Sequence, residues 1–179
     1  MGNHPNALFV LFSLDSIFAH TFHSKEVELP QPEKISIGFI GGGPNSFIGY
    51  THRLAARFDN RFEFKAGIFS QNIKKSKNFG TALGLDQERC YENYKKMAQV
   101  ESKREDGIQA LGIMTPSGDH LKIAKPFIEK GIHIVCDKPL TANISDAETL
   151  KKLVDKNKII FALTPVSYTH LRAHETRED

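Results

Sequence analysis

The residues of this chain best suited to chemistry are Asp137-Lys138-Pro139. An acid and an amine follow the short apolar run His133-Ile134-Val135-Cys136, and a proline fixes the exit. A lysine at the end of a buried strand can hydrogen-bond a substrate hydroxyl, and burial or a neighbouring charge tunes its pKa. The plainer reading is a surface Asp-Lys pair at a strand end. A second group is Gly41-Gly42-Gly43-Pro44-Asn45-Ser46. It matches G-x-G-x-x-[G/A] except that Ser46 takes the last place. Gly41 would make the tight turn, Gly43 would let the backbone approach a pyrophosphate, and Ser46 is small enough for close helix–strand packing. A purely structural glycine turn is the alternative.

Two further groups fall at comparable positions. Thr115-Pro116 follows an apolar run, with His120 one helical turn on. Thr115 offers a hydroxyl to a ribose or nicotinamide, and His120 either points into the same crevice or is an ordinary helix-start histidine. Ser70-Gln71, followed by Lys74-Lys75, stands where many NAD enzymes place an acid for the ribose 2′-hydroxyl. A hydroxyl with nearby cations would suit a 2′-phosphate, which leans the expected cofactor, NAD or NADP, slightly towards NADP. Alternatively Lys74, Lys75 and Lys77 form a solvated helix face.

The elements that must position these groups alternate. The apolar run Ile35–Ile40 reads as a strand, and a helix from about Asn45 to Phe58 follows, with Phe47, Ile48, Leu54, Ala55 and Phe58 able to share an apolar face. Further strands are expected at Phe62–Phe69, Arg89–Tyr91, Gln109–Met114, His133–Cys136 and Ile159–Leu163. Helices are expected over Ile73–Leu83, from the Asn93 cap to about Arg104, from about Asp119 to Lys130, and from a Ser145–Glu148 capping box to about Asp155. In the third of these, Leu121, Ala124 and Ile128 face inward and Gly131 is the stop. This alternation predicts an α/β fold, a doubly wound parallel sheet of about six strands covered on both faces. A barrel would need eight such units.

The chain has 179 residues, 40% of them hydrophobic and 25% charged, with a net charge of +3. That is ordinary for a globular domain and leaves no room for two full-sized ones. No basic stripe with interleaved aromatics argues for nucleic acid. Cys90 and Cys136 lack metal-ligand spacing, no metal site is expected, and both read as buried or half-buried thiols in a reducing compartment. Residues 1–33 read as a leader and linker. Ala7–Phe12 is too short to span a bilayer, and Met1–Asn6 lacks the basic residues of a secretory signal, so a cytoplasmic protein with no membrane partner is expected. Residues 34–164 form the expected dinucleotide-binding domain. Val166–Thr176, VSYTHLRAHET, resembles a translated sequencing-library adapter, so residues 165–179 are expected to be a non-native tail whose His170, His174 and Glu175 are not a metal site.

Taken together, GGGPNSFIG, TPSGDH and CDKPLT resemble the glucose-fructose oxidoreductase / inositol dehydrogenase family (Gfo/Idh/MocA), over about Lys34–Thr164. The resemblance implies a Rossmann-type fold in which the glycine turn, Gly41 to Ile48 (with Pro44, Asn45 and Phe47), binds NAD(P). Thr115, Pro116 and His120 would flank the cofactor, and Asp137, Lys138 and Pro139 would line it. Lys138 would touch nicotinamide and substrate as the catalytic residue, and Asp137 replaces the family's usual glutamate. It also implies a second α/β domain, missing here, that supplies the substrate pocket, the interface of a homo-oligomer and an Asp–His pair for proton transfer.

The expected function is therefore the NAD(P)-binding half of a dehydrogenase acting on a sugar, polyol or related secondary alcohol, inactive by itself. The alternative is a non-catalytic dinucleotide-binding module, a redox sensor or accessory subunit, which would have no use for Lys138. A methyltransferase would account for Gly41–Gly43 but not for Asp137-Lys138-Pro139. The absence of Gly-Lys-Ser/Thr argues against a nucleoside-triphosphate P-loop.

Overall fold

The computed structural model describes residues 33–164. Residues 1–32, all but the last residue of the expected 1–33 leader, and the tail over residues 165–179 lie outside the described residues. Five parallel strands form one sheet: β1 (Ile35–Gly41), β2 (Phe62–Ile68), β3 (Ala110–Met114), β4 (His133–Asp137) and β5 (Phe161–Thr164), in the order β2-β1-β3-β4-β5. Helices α1 (Phe47–Phe58), α2 (Ile73–Ala82), α3 (Tyr94–Glu101), α4 (His120–Ile128) and α5 (Ile144–Asn157) connect them. The two faces carry separate apolar clusters. One gathers Leu111, Ile113, Phe127, Ile134 and Leu150, and the other Ile37, Phe39, Phe69 and Met114. β3 reads Ala-Leu-Gly-Ile-Met and is buried throughout, the continuous apolar run of a strand covered on both sides.

The strand count is five rather than six. Arg89–Tyr91 does not form a strand: Gln87–Arg89 is a short 3₁₀ turn, begun by the Asp86 carboxylate accepting from the Glu88 N–H at 2.9 Å. What remains of the expected strand is one parallel bridge between Gly67 and Cys90, with the Tyr91 N–H donating to the Gly67 carbonyl at 3.0 Å. Asn93 caps α3 only two residues after Tyr91, which leaves no length for a ladder.

One helix boundary and one helix face also differ. Asn143, in an extended conformation, caps α5 by accepting from the Asp146 N–H at 2.8 Å, so Ser145 lies inside the helix instead of capping it. Asn93 and Asn72 cap α3 and α2 in the same way, and Asn93 does so as expected. In α4, Ala124 and Ile128 are buried and Leu121 is partly buried, also as expected, and Gly131 follows at φ 78°. In α1 most of the expected apolar face is turned outward, with Phe47 83% exposed, Leu54 52% and Phe58 68%, and only Ile48 packs partly against the core. The buried residues of α1 are Gly49, Arg53 and Ala56. The phase of that helix is set by the glycine turn before it, not by its large apolar residues.

Candidate dinucleotide site

In this strand order the chain leaves β1 for β2 on one side and later returns to β3 on the other. The carboxyl ends of β1 and β3 are therefore a topological switch point, the place where open α/β sheets leave a crevice. Gly41 and Met114 are paired across it. The turn after β1 and the Thr115-Pro116 exit from β3 consequently open at the same edge.

Gly41 has φ 87°, and a Cβ there would stand 2.4 Å from the Met114 carbonyl oxygen, so only glycine fits. A Cβ on Gly43 would stand 2.5 Å from the Phe69 carbonyl oxygen at the end of β2. Close helix packing belongs to Gly49, however, and not to Ser46. A Cβ on Gly49 would lie 2.4 Å from Gly42 Cα. Ser46 is the N-cap of α1, its hydroxyl accepting from the Gly49 N–H at 3.0 Å, while its own N–H donates to Gly43 O at 3.0 Å. The loop from Gly43 to the packing glycine is three residues longer than the motif's spacing, with exposed Pro44 and Asn45 in it. Exposed Phe47 and half-buried Ile48 form the first turn of α1, whose N–H groups have no intrahelical acceptor and suit an anion.

At the end of β2, Ser70 Oγ accepts from the Asn72 N–H at 3.1 Å, and Asn72 caps α2 by accepting from the Lys75 N–H at 3.1 Å. Gln71, Lys74 and Lys75 are exposed, and among the described residues neither lysine forms an ion pair. No acid stands between Phe69 and Asn72.

Thr115 has a buried hydroxyl with no hydrogen-bond partner among the described residues. His120 is 1% exposed and does not open to the crevice. Its Nε2 lies 2.8 Å from the Thr115 carbonyl and its Nδ1 3.0 Å from the Leu140 carbonyl, with Cys136 Sγ 3.2 Å from Nδ1. It ties the end of β3 to the segment after β4. Burial pushes the Cys136 thiol up to about 12, so it is inert, and both cysteines are free and buried. Pro116, Lys138 and Pro139 are exposed along the same edge, and the Lys138–Pro139 bond is cis.

Three residues of this site, His52, Thr164 and Arg53, carry no motif in the sequence. His52 Nε2 lies 3.8 Å from Asp137 Oδ1, and the Thr164 hydroxyl donates to Cys136 O at 3.2 Å and lies 3.4 Å from Asp137 Oδ1. Asp137 is thus held from α1 and β5, while among the described residues Lys138 forms no ion pair. Burial lowers the His52 pKa, more than the Asp137 carboxylate raises it. Arg53 is 6% exposed and donates through Nη1 to the Gly42 carbonyl, with its guanidinium 5.0 Å from the Phe79 ring centroid. No spacing rule marks His52 or Arg53, because the large apolar residues of α1 suggest a different buried face.

Three features of these residues fit a dinucleotide. The turn is closed to any Cβ, the Thr115 hydroxyl lacks a partner, and a buried cation sits directly behind the turn. Among the described residues no group of three or more His, Cys, Asp or Glu could hold a metal, and no helix is long and apolar enough to cross a membrane.

Residues 35–164 match a family model described as an oxidoreductase family with an NAD-binding Rossmann fold. The oxidoreductase YfiI of Bacillus subtilis (strain 168) is 42% identical over 126 residues, covering 70% of this chain and 32% of the relative. An inositol dehydrogenase homolog from Azotobacter vinelandii, solved with NADH and myo-inositol, superposes with a TM-score of 0.72 at 40% identity, over 74% of this chain and 34% of that one. An oxidoreductase from Sinorhizobium meliloti gives a TM-score of 0.70 at 45% identity, over 74% and 37%. The chain thus spans about a third of the length of these relatives, at 32% of the first. With the glycine turn and the β4 exit on one edge of a five-stranded Rossmann sheet, the chain belongs to the Gfo/Idh/MocA oxidoreductase family as its NAD-binding domain.

Proposed function

We propose that residues 34–164 bind NAD or NADP and, within a longer protein, serve hydride transfer to or from a secondary alcohol of a sugar or polyol. The observation that carries this reading is the shared edge: Gly41 faces Met114 at the switch point, and Asp137-Lys138 ends β4 two strands from β1. Gly43, Ser46 and the first turn of α1 hold the diphosphate, and Thr115 and Pro116 bound the ribose and nicotinamide. His120 keeps the β3 exit and the β4 exit in register. Lys138 donates a hydrogen bond to the substrate oxygen and stabilises negative charge there, with Asp137 held beside it. The nicotinamide, when bound, supplies the hydride acceptor or donor. Relatives support the class of substrate: one is a scyllo-inositol 2-dehydrogenase (NADP(+)) from Bacillus subtilis, 32% identical over 63 residues. The chain as given is expected to show no turnover on polyols.

Titration of the chain with NADH and NADPH, followed by nucleotide fluorescence, tests this, since the chain has no Trp to interfere. Saturable binding of at least one is expected, and absence of binding to both would refute the reading. Exposed Lys74 and Lys75 carry the lean towards NADP. In the Lys74→Glu, Lys75→Glu double variant, NADPH affinity should fall about tenfold with NADH affinity unchanged. An unchanged NADPH affinity removes the 2′-phosphate site.

A further inference from the structure

Arg53 is a buried cation in an unusual setting. Among the described residues no carboxylate comes within ion-pair distance of it, and the charge that acts on it is Arg57, of the same sign. Burial lowers its pKa first and Arg57 second. A buried guanidinium without an acid costs the fold stability, and such costs persist in native proteins chiefly where a ligand supplies what is missing. By contrast Arg89, equally buried, is fully paired with Glu101 and Asp106.

The one strong bond of Arg53 is to the Gly42 carbonyl. A trans peptide unit points its C=O and N–H in opposite directions. Turning the Gly42 carbonyl inward onto Arg53 therefore turns the Gly43 N–H away from it, out of the turn. Gly42 itself stands at φ 63°, and packing on Gly49 from behind leaves that plane little freedom. The same side chain thus sets the direction of a diphosphate donor and places an unneutralised positive charge behind it.

We propose that Arg53 is a positioning residue for the cofactor diphosphate: it fixes the peptide that presents the Gly43 N–H, and the bound diphosphate is its missing counter-ion. The proposal rests on the dinucleotide reading above. A purely structural arginine, clamping α1 on α2 through Phe79, would instead stabilise the unliganded chain.

The test titrates NADH and ADP-ribose into the 179-residue chain as wild type, Arg53→Met and Arg53→Lys, and records the unliganded Tm of each. Arg53→Met should bind both ligands about tenfold more weakly with an unliganded Tm no lower than wild type. Arg53→Lys, which keeps the charge, should lose less than about threefold. Binding of ADP-ribose by Arg53→Met within about twofold of wild type overturns the proposal. So does a lowered Tm in both variants with equal affinity loss. If Arg53→Met does not fold, Arg53→Lys decides: a loss under about threefold supports the proposal, and a larger loss or failure to fold overturns it. Wild-type chain that binds neither NADH nor ADP-ribose sinks the dinucleotide reading itself, and the proposal with it.

Discussion

The two edges of the sheet treat buried polar groups in opposite ways. At the amino edge, Glu101, with its side chain fully buried, accepts from Arg89 Nε at 3.1 Å, from Tyr91 Oη at 2.7 Å and from the Ile108 N–H at 3.3 Å. Arg89 also reaches Asp106 at 2.9 Å, and Arg104 closes on Asp106 at 2.8 Å. A shallow concavity of about 550 Å³ lies there, lined by Glu101, Arg104, Gln109 and His133 among others. Its charges answer one another. At the carboxyl edge, among the described residues, Arg53 has no acid, the Thr115 hydroxyl has no partner, and Lys138 makes no ion pair. Concavity is therefore a poor guide to the site in this molecule. Satisfaction of polar groups is the better one, because a complete network serves the fold and an incomplete one awaits a ligand.

The contrast predicts opposite signs for substitutions at the two edges. Arg89→Met leaves the buried Glu101 carboxylate uncompensated and should cost about 3–5 kcal/mol of stability by urea denaturation. Its NADH affinity, measured well below the unfolding midpoint, should match wild type. A loss below about 1 kcal/mol would show that the amino-edge network is not structural. Thr115→Val removes a buried hydroxyl that has no partner. It should leave the unliganded chain as stable or about 1 kcal/mol more stable, while weakening dinucleotide binding. Destabilisation with unchanged binding would erase the contrast at that position.

The smallest effect concerns pH. The His52 pKa is lowered in the fold, chiefly by burial, so the unfolded chain takes up its proton first as pH falls. Its contribution to stability is present above the ordinary imidazole pKa of about 6.5 and is lost as pH drops through the folded value. His52→Gln should therefore flatten the acid limb of the stability profile below about pH 6.5. An unaltered acid limb, by thermal melts across that range, would show that burial does not hold His52 neutral.

Much of this was readable in the sequence because its signals are local. A continuous apolar run before glycines, an asparagine before a helix and a proline after Asp-Lys each state their structure within a few residues. Sequence fell short where structure depends on distant partners. The phase of α1 follows the contact of Gly49 with Gly42, so Phe47, Leu54 and Phe58, which look like a core face, are exposed. Ser46 fits the motif by spacing and caps the helix instead, because the loop carries three additional residues before the packing glycine. Arg89–Tyr91 has strand-like residues, but Arg89 is drawn into the ionic network with Glu101. His120 does start α4, as one of its two readings expects, but it is also a buried tie between two backbone carbonyls from distant parts of the chain instead of a crevice residue.

Amide hydrogen exchange of the chain with and without NADH compares the two edges in one measurement. Protection is predicted at Gly43, Ser46, Phe47 and Ile48 and at the exits of β3 and β4, with no change at Glu101, Gly107 or Gln109. Protection centred on the amino-edge concavity, or none at the glycine turn under saturating NADH, would contradict the account.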